Sequence, residues 1–200
     1  MSQNTNTNKP KSESNIINAY EADKIARSTV PPHHIAISYK LDGFSASKIL
    51  PKLYLSGSNV ATNLEMLRKL KVTHILNATK QVENKFESDR NFVYKKIELD
   101  DSDTQDLLNY LEDAYNFIDE ALKNEKNLVL VHCISGMSRS ASIVIAYLMR
   151  KGVSNTYKEA YEYVLSCRSI IEPNENFQKQ LIEYEKILKA QDKSNKILEN

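Results

Sequence analysis

A cysteine and an arginine six positions apart are the residues best suited to chemistry in this sequence. Cys133 and Arg139 lie in the segment His-Cys-Ile-Ser-Gly-Met-Ser-Arg-Ser at 132–140. A thiolate is a strong nucleophile, and a guanidinium offers a planar fork of donors that matches two phosphate oxygens. The pair therefore predicts that Cys133 attacks a phosphate group while Arg139 holds its oxygens.

The flanking segments decide whether this pair can form a site. The apolar run NLVLV at 127–131 predicts a central strand before the cysteine, and SASIVIAYLMRKG at 140–152 predicts a helix after the arginine. A loop between a strand end and a helix start can turn successive backbone N–H groups toward one anion, and the helix adds its positive end. That field favours the thiolate of Cys133 over its thiol.

The loop between the two residues is the predicted phosphate-binding segment. Gly136 allows the backbone to bend without a Cβ clash. An ATP-binding loop would end in Gly-Lys-Ser or Gly-Lys-Thr, and this one does not. Because the backbone and Arg139 supply the stabilising charge, neither a metal nor another cofactor is expected. The predicted phosphate contacts are made by Ile134, Ser135, Gly136, Met137, Ser138 and Arg139.

Strands and helices are predicted to alternate through the middle of the chain, which indicates an α/β fold. The predicted strands are 53–55, 73–79, 92–99 and 127–131, and the predicted helices are 61–70, 104–124, 140–152, 156–167 and 176–191. We expect one folded domain at 35–190 and a C-terminal tail at 191–200. The N-terminal tail, 1–34, is expected to be disordered at 1–16, with a short helix at 17–30.

Composition limits the partners and the compartment. The 200-residue chain has a formal net charge of +1, which creates no overall field for nucleic acid or an anionic membrane, so neither partner is expected. Two cysteines are too few for a disulfide scaffold, and none has zinc-ligand spacing. The first residues show no signal peptide. These features favour the cytoplasm, with the nucleus as an alternative, and leave the oligomeric state open.

The pattern His-Cys-x5-Arg-Ser after an apolar strand resembles the signature of the protein tyrosine phosphatase superfamily. The form HCISGMSRSASIVIAYLM is similar to its dual-specificity branch, and the similarity extends over about residues 48–186. It includes ILPKLYLSG at 49–57, VTHILNAT at 72–79 and EPNENFQKQLIEYE at 172–185. The resemblance implies a mainly parallel central sheet flanked by helices. It also implies hydrolysis of phosphotyrosine, phosphoserine and phosphothreonine in proteins through a phosphocysteine.

The resemblance also implies a proton donor in the acidic segment at 98–106, because a departing alkoxide or phenoxide needs a proton. When the helix that follows this segment is aligned with the corresponding helix of the family, Asp101 takes this role, with Asp100 and Asp103 as alternatives. A further possibility is that these acids only favour the helix N-terminus.

Supporting roles follow from the same resemblance. Ser140 would donate a hydrogen bond to the cysteine sulfur, or act as a helix cap. His132 would orient the loop from beneath. Asn174 would brace the loop from behind, or belong to a plain turn after Pro173. Cys167 is either a packed thiol or a redox partner of Cys133.

Two other functions stay open at this stage. The same chemistry could act on a phosphoinositide, an RNA 5′-phosphate or a phosphoglucan, although the loop lacks the lysines typical of lipid-specific relatives. The chain could also be a phosphate-binding pseudoenzyme that acts as a scaffold. We expect the atypical group of dual-specificity phosphatases, which contains a catalytic domain only.

Overall fold

The computed structural model describes residues 45–198 of the chain. The predicted disordered segment 1–16, the predicted helix 17–30 and the predicted domain start at residue 35 therefore lie outside the described residues. The strands are β1 Ser47–Leu50, β2 Leu53–Ser56, β3 His74–Asn77, β4 Val93–Lys96 and β5 Val129–His132. The helices are α1 Ser58–Ala61, α2 Leu64–Leu70, α3 Leu108–Lys123, α4 Arg139–Arg150, α5 Tyr157–Cys167 and α6 Glu175–Leu198.

The five strands form one sheet in the order β1-β2-β5-β3-β4. Strand β1 pairs antiparallel with β2, and every other pair is parallel. All residues of β5 are buried, as its continuous apolar run predicts for a strand covered on both faces. The predicted α/β fold with a mainly parallel sheet is confirmed.

Helices cover both faces of this sheet. Val129 and Val131 of β5 join the larger core cluster, which includes side chains from α3, α4, α5 and α6. Leu130 points to the other face, where it packs with Ile75 of β3 and residues of α1 and α2. Helix α4 is buried from Arg139 to Met149, so it forms the centre of the thicker layer.

The register of the central strands brings three strand ends to one edge of the sheet. His132 of β5 is the partner of Ser56 in β2 and of Asn77 in β3. Ligand sites of open parallel sheets lie at the carboxyl ends of the strands. The segments after Ser56, Asn77 and His132 therefore converge where Cys133 begins its loop.

Several element boundaries differ from the predicted ones. The single helix predicted at 61–70 is interrupted, because the Asn63 side chain accepts a hydrogen bond from Met66 N at 3.1 Å and starts α2 as a new helix. Strand β1 was not predicted, since Ser-Lys-Ile-Leu carries little strand propensity. Helix α6 continues to Leu198, past the predicted end at 191.

Candidate active site

The nucleophile candidate lies at the carboxyl end of the central strand. Cys133 follows β5 and is fully buried. Its Sγ accepts hydrogen bonds from the Gly136 backbone N–H at 3.2 Å and from Ser140 Oγ at 3.1 Å. Donors aimed at a sulfur can stabilise the negative charge that it carries when it acts as a nucleophile or a leaving group.

The loop after Cys133 is held from outside by its carbonyl oxygens. In a trans peptide the N–H points opposite the C=O, so each carbonyl that is bound outside turns the next N–H inward. Outside donors to the loop carbonyls are Ser58 N to Ile134 O at 2.9 Å, Glu172 N to Met137 O at 3.0 Å and Ser142 N to Ser138 O at 2.8 Å. The loop therefore forms the nest of inward N–H groups that the sequence predicts.

A second arginine holds the two remaining carbonyls of this loop. The fully buried Arg168 donates from Nη2 to Ser135 O at 3.0 Å and from Nε to Gly136 O at 2.8 Å. Sequence reasoning missed this residue, because a basic residue after the last turn of a helix ordinarily only complements the helix dipole.

Gly136 is required at its position for two reasons. Its φ is +72°, a region that residues with a Cβ rarely adopt. A Cβ there would lie 2.5 Å from the carbonyl carbon and 2.6 Å from the carbonyl oxygen of Ser56. The loop therefore packs directly on the end of β2.

The guanidinium of Arg139 is buried at the start of α4, with 4% of the residue exposed. Its Nη1 donates to Gln81 Oε1 at 2.8 Å and to Leu99 O at 3.3 Å. Its Nε makes no hydrogen bond within the described residues, so this donor is available to an anion. Gln81 was not predicted, and its signal is its place just after β3, whose carboxyl end lies at the site.

Of the three predicted acid candidates, Asp101 is the one in contact with the loop. Its Oδ1 accepts from Ser138 Oγ at 2.6 Å, and its Oδ2 lies 3.6 Å from Arg139 Nε. Asp100 instead accepts from Gln81 Nε2 at 3.1 Å. Asp103 is exposed. The geometry therefore supports Asp101 over both alternatives.

Asn174 connects the acid segment to helix α6. Its Nδ2 donates to Asp101 Oδ1 at 2.8 Å, and its backbone N–H donates to Ser138 Oγ at 3.1 Å. Its own Oδ1 accepts from Phe177 N at 2.8 Å, which caps the first turn of α6. Asn174 therefore belongs to the turn after Pro173 and also contacts the phosphate loop, so the two predicted roles occur together.

His132 is the last residue of β5, directly before Cys133, and 2% of it is exposed. Its Nδ1 is 3.2 Å from Cys133 O, and since a carbonyl only accepts, Nδ1 carries the proton. Burial lowers the pKa of His132 from 6.5 to about 4, although the hydrogen bond to Cys133 O acts in the opposite direction. The imidazole is therefore neutral at pH 7.

The sequence of this domain matches a known family. Residues 53–187 match the family described as "Dual specificity phosphatase, catalytic domain". The chain belongs to this family. It is 39% identical over 165 residues to human dual specificity protein phosphatase 9, an alignment that covers 82% of this chain and 41% of that protein. The chain thus spans less than half the length of this curated relative.

Solved structures of the family share the fold. The human tyrosine phosphatase-like serine/threonine/tyrosine-interacting protein has 33% identity and a TM-score of 0.65, covering 71% of this chain and 96% of that chain. A mouse putative dual specificity phosphatase complexed with zinc tungstate has 29% identity and a TM-score of 0.68, covering 74% of this chain and 90% of that chain.

Beside the phosphatase-family loop lies an open cavity of about 380 Å³. Its walls include three carboxylates and contain no lysine or arginine; the acids are Asp101, Glu172 and Glu175. The cavity adjoins Ser135, Met137 and Ser138 of the loop.

Neither Cys133 nor Cys167 forms a disulfide bond. Cys167 is partly buried at the end of α5, and its redox role stays a prediction. Among residues 45–198, no group of three or more histidine, cysteine and acidic side chains is arranged to hold a metal ion. No helix in this range is long and apolar enough to span a membrane.

Proposed function

We propose that this chain is a protein phosphatase that hydrolyses phosphotyrosine, phosphoserine and phosphothreonine through a phosphocysteine at Cys133. The observation that carries the proposal is the pair of donors on Cys133 Sγ, which lies within a nest of inward N–H groups. Membership of the dual specificity phosphatase family supports the same chemistry.

In the first step the Cys133 thiolate attacks phosphorus, the S–P bond forms, and the bond to the substrate oxygen breaks. Asp101 gives its proton to that departing oxygen. Arg139 Nε and the loop N–H groups stabilise the charge that moves onto the other phosphate oxygens. The product of this step is the dephosphorylated residue, and the phosphate stays on the sulfur.

In the second step water attacks the phosphocysteine and Asp101, now a carboxylate, takes a proton from it. The S–P bond breaks and its electron pair returns to Cys133. Ser140 Oγ, at 3.1 Å from the sulfur, stabilises the thiolate as it leaves. Inorganic phosphate and the original enzyme are released, and neither step uses a metal or another cofactor.

The proposed partners are phosphorylated proteins of the cytoplasm, with the nucleus as an alternative compartment. A second and less favoured candidate function is a phosphate-binding scaffold that does not hydrolyse its ligand. A turnover assay separates the two, because a scaffold binds phosphopeptides without releasing phosphate. Phosphoinositide, RNA 5′-phosphate and phosphoglucan are tested as substrates in the same assay.

Replacing the sulfur tests the mechanism. We expect Cys133→Ser to lower turnover of a phosphopeptide by at least about three orders of magnitude, because a serine hydroxyl does not ionise at neutral pH. Tungstate binding should persist, since the backbone nest is unchanged. Cys167→Ser is the matched control and should keep its activity. Near-normal turnover by Cys133→Ser, or activity that needs a divalent ion after EDTA treatment, contradicts the proposal.

A further inference from the structure

The buried Arg168 takes no part in the two steps above, yet it contacts two successive peptide groups of the phosphate loop. Its Nη2 and Nε donate to Ser135 O and Gly136 O, at 3.0 and 2.8 Å. We propose that Arg168 is a positioning residue that holds the loop in its anion-binding form and thereby stabilises the Cys133 thiolate. The inference rests on the proposed phosphatase function and assigns a further residue to it.

The first contact acts directly on the nucleophile through one peptide group. Ser135 O and Gly136 N belong to the same peptide, and they point in opposite directions. Arg168 binds the oxygen at one end, and the N–H at the other end donates to Cys133 Sγ at 3.2 Å. A cation on the carbonyl fixes this orientation and also polarises the N–H toward the sulfur.

The second contact controls the residue with the freest backbone in the loop. Gly136 is needed for its φ of +72°, but the absence of a Cβ also leaves its flanking peptides free to rotate. The bond from Arg168 Nε to Gly136 O holds the following peptide, so that Met137 N–H faces inward. The arginine thus restricts a backbone that glycine alone leaves mobile.

The chemistry of a guanidinium suits this task better than that of an ammonium. Two nitrogens of one planar group reach two neighbouring carbonyls, while Nη1 is held on the far side by Ser45 O at 3.1 Å and Ser47 Oγ at 3.3 Å. Arg168 is fully buried, so its positive charge behind the loop is weakly screened and favours an anion in front of it.

A purely structural role is the alternative, because the same side chain also ties β1 to the loop. The two roles differ in what a substitution changes. Loss of a structural tie lowers the free energy of unfolding alone. Loss of a positioning residue also changes the reactivity of Cys133 and the affinity for an oxyanion in protein that is still folded.

The test compares Arg168→Met with Arg150→Met in the full chain. The chain also carries Cys167→Ser, so that Cys133 is its one remaining thiol and the one that is alkylated. Arg150 is the matched control, since it is a partly buried arginine that ties α4 to Glu112 of α3 at the other end of α4. Two quantities are measured in folded protein: the iodoacetamide alkylation rate across pH, and the tungstate dissociation constant by calorimetry.

For Arg168→Met we expect alkylation at neutral pH to be roughly tenfold slower, and tungstate binding to be roughly tenfold to hundredfold weaker. Arg168→Lys keeps the charge with a single nitrogen and should give intermediate values. Arg150→Met should change each quantity by less than about twofold, although its thermal midpoint falls.

Values for Arg168→Met within about twofold of those of the parent protein would overturn the proposal. Should the methionine variant not fold, Arg168→Lys decides by the same two measurements, and parental values there would also overturn it. Neither quantity requires turnover. A parent protein that binds tungstate in an Arg168-dependent way but releases no phosphate would refute the proposed function and leave this inference standing.

Discussion

In the proposed mechanism, Asp101 gives up a proton in the first chemical step and takes one back in the second. It must hold a proton when the substrate oxygen departs and must have lost it when water attacks. Its Oδ1 accepts from both Ser138 and Asn174, which fixes the carboxyl at the rim of the loop. A side chain fixed there can reach the substrate oxygen in both directions of proton transfer.

The assignment of Asp101 is tested against its neighbour in the chain. We expect Asp101→Asn to lower kcat by roughly two to four orders of magnitude on substrates with poor leaving groups, and by less on an activated aryl phosphate. The variant should also lose the basic limb of the pH–rate profile. Asp100→Asn should keep that limb, because Asp100 contacts Gln81 and Lys80 instead of the loop. The opposite result would move the acid to Asp100.

His132 should make the domain sensitive to mild acid. Its folded-state pKa of about 4 lies below its unfolded value of 6.5, so the unfolded chain binds more protons between these values. The contribution to stability is fully present above about pH 6.5 and is lost as the pH falls toward 4. Urea unfolding at several pH values should show that His132→Asn removes about 2 to 3 kcal/mol of this loss. The control is His74→Asn, which replaces a partly buried histidine on β3 and should leave most of the acid-induced loss of stability unchanged.

At the scale of elements, the junction between β2 and the phosphate loop depends on the missing Cβ of Gly136. Gly152, after α4, has nearly the same φ, +73°, but a Cβ there would meet nothing within 4 Å. Gly152→Ala should therefore lower the free energy of unfolding by about 1 kcal/mol, because only the positive φ opposes the new side chain. Gly136→Ala should cost at least about 2 kcal/mol more and should weaken tungstate binding. Equal losses in thermal or urea unfolding would contradict this packing.

The elements around the site could be predicted to different extents from the sequence. The continuous apolar run of β5 and the apolar helix α4 have strong periodic signals, so the loop between them was predictable. The contacts of Gln81 and Arg168 were not, because they join residues that are far apart in the chain. Likewise, the break at Asn63 depends on one capping hydrogen bond, which a periodic pattern does not reveal.

For the whole molecule, the net charge is near zero, but acidic residues are concentrated along the cavity beside the site. Glu172 and Glu175 line the cavity beside the loop, where we expect the residues next to the phosphorylated one to bind. Phosphopeptides with lysine at these positions should have kcat/KM about three- to tenfold above those with glutamate, and high salt should reduce the difference. Glu172→Gln with Glu175→Gln should also reduce it, whereas Glu183→Gln, elsewhere on α6, should not. Equal kcat/KM for both peptides at low salt would exclude this preference.

The donors that hold the loop carbonyls come from distant parts of the chain, from Ser58 before the nucleophile to Arg168 and Glu172 after it. During synthesis on a ribosome, Cys133 therefore emerges well before the residues that complete its surroundings. Until Glu172 has emerged, the thiol lacks the arrangement that makes it a nucleophile toward phosphate. We therefore expect newly made chains to remain inactive until Arg168 and Glu172 have emerged and can hold the loop.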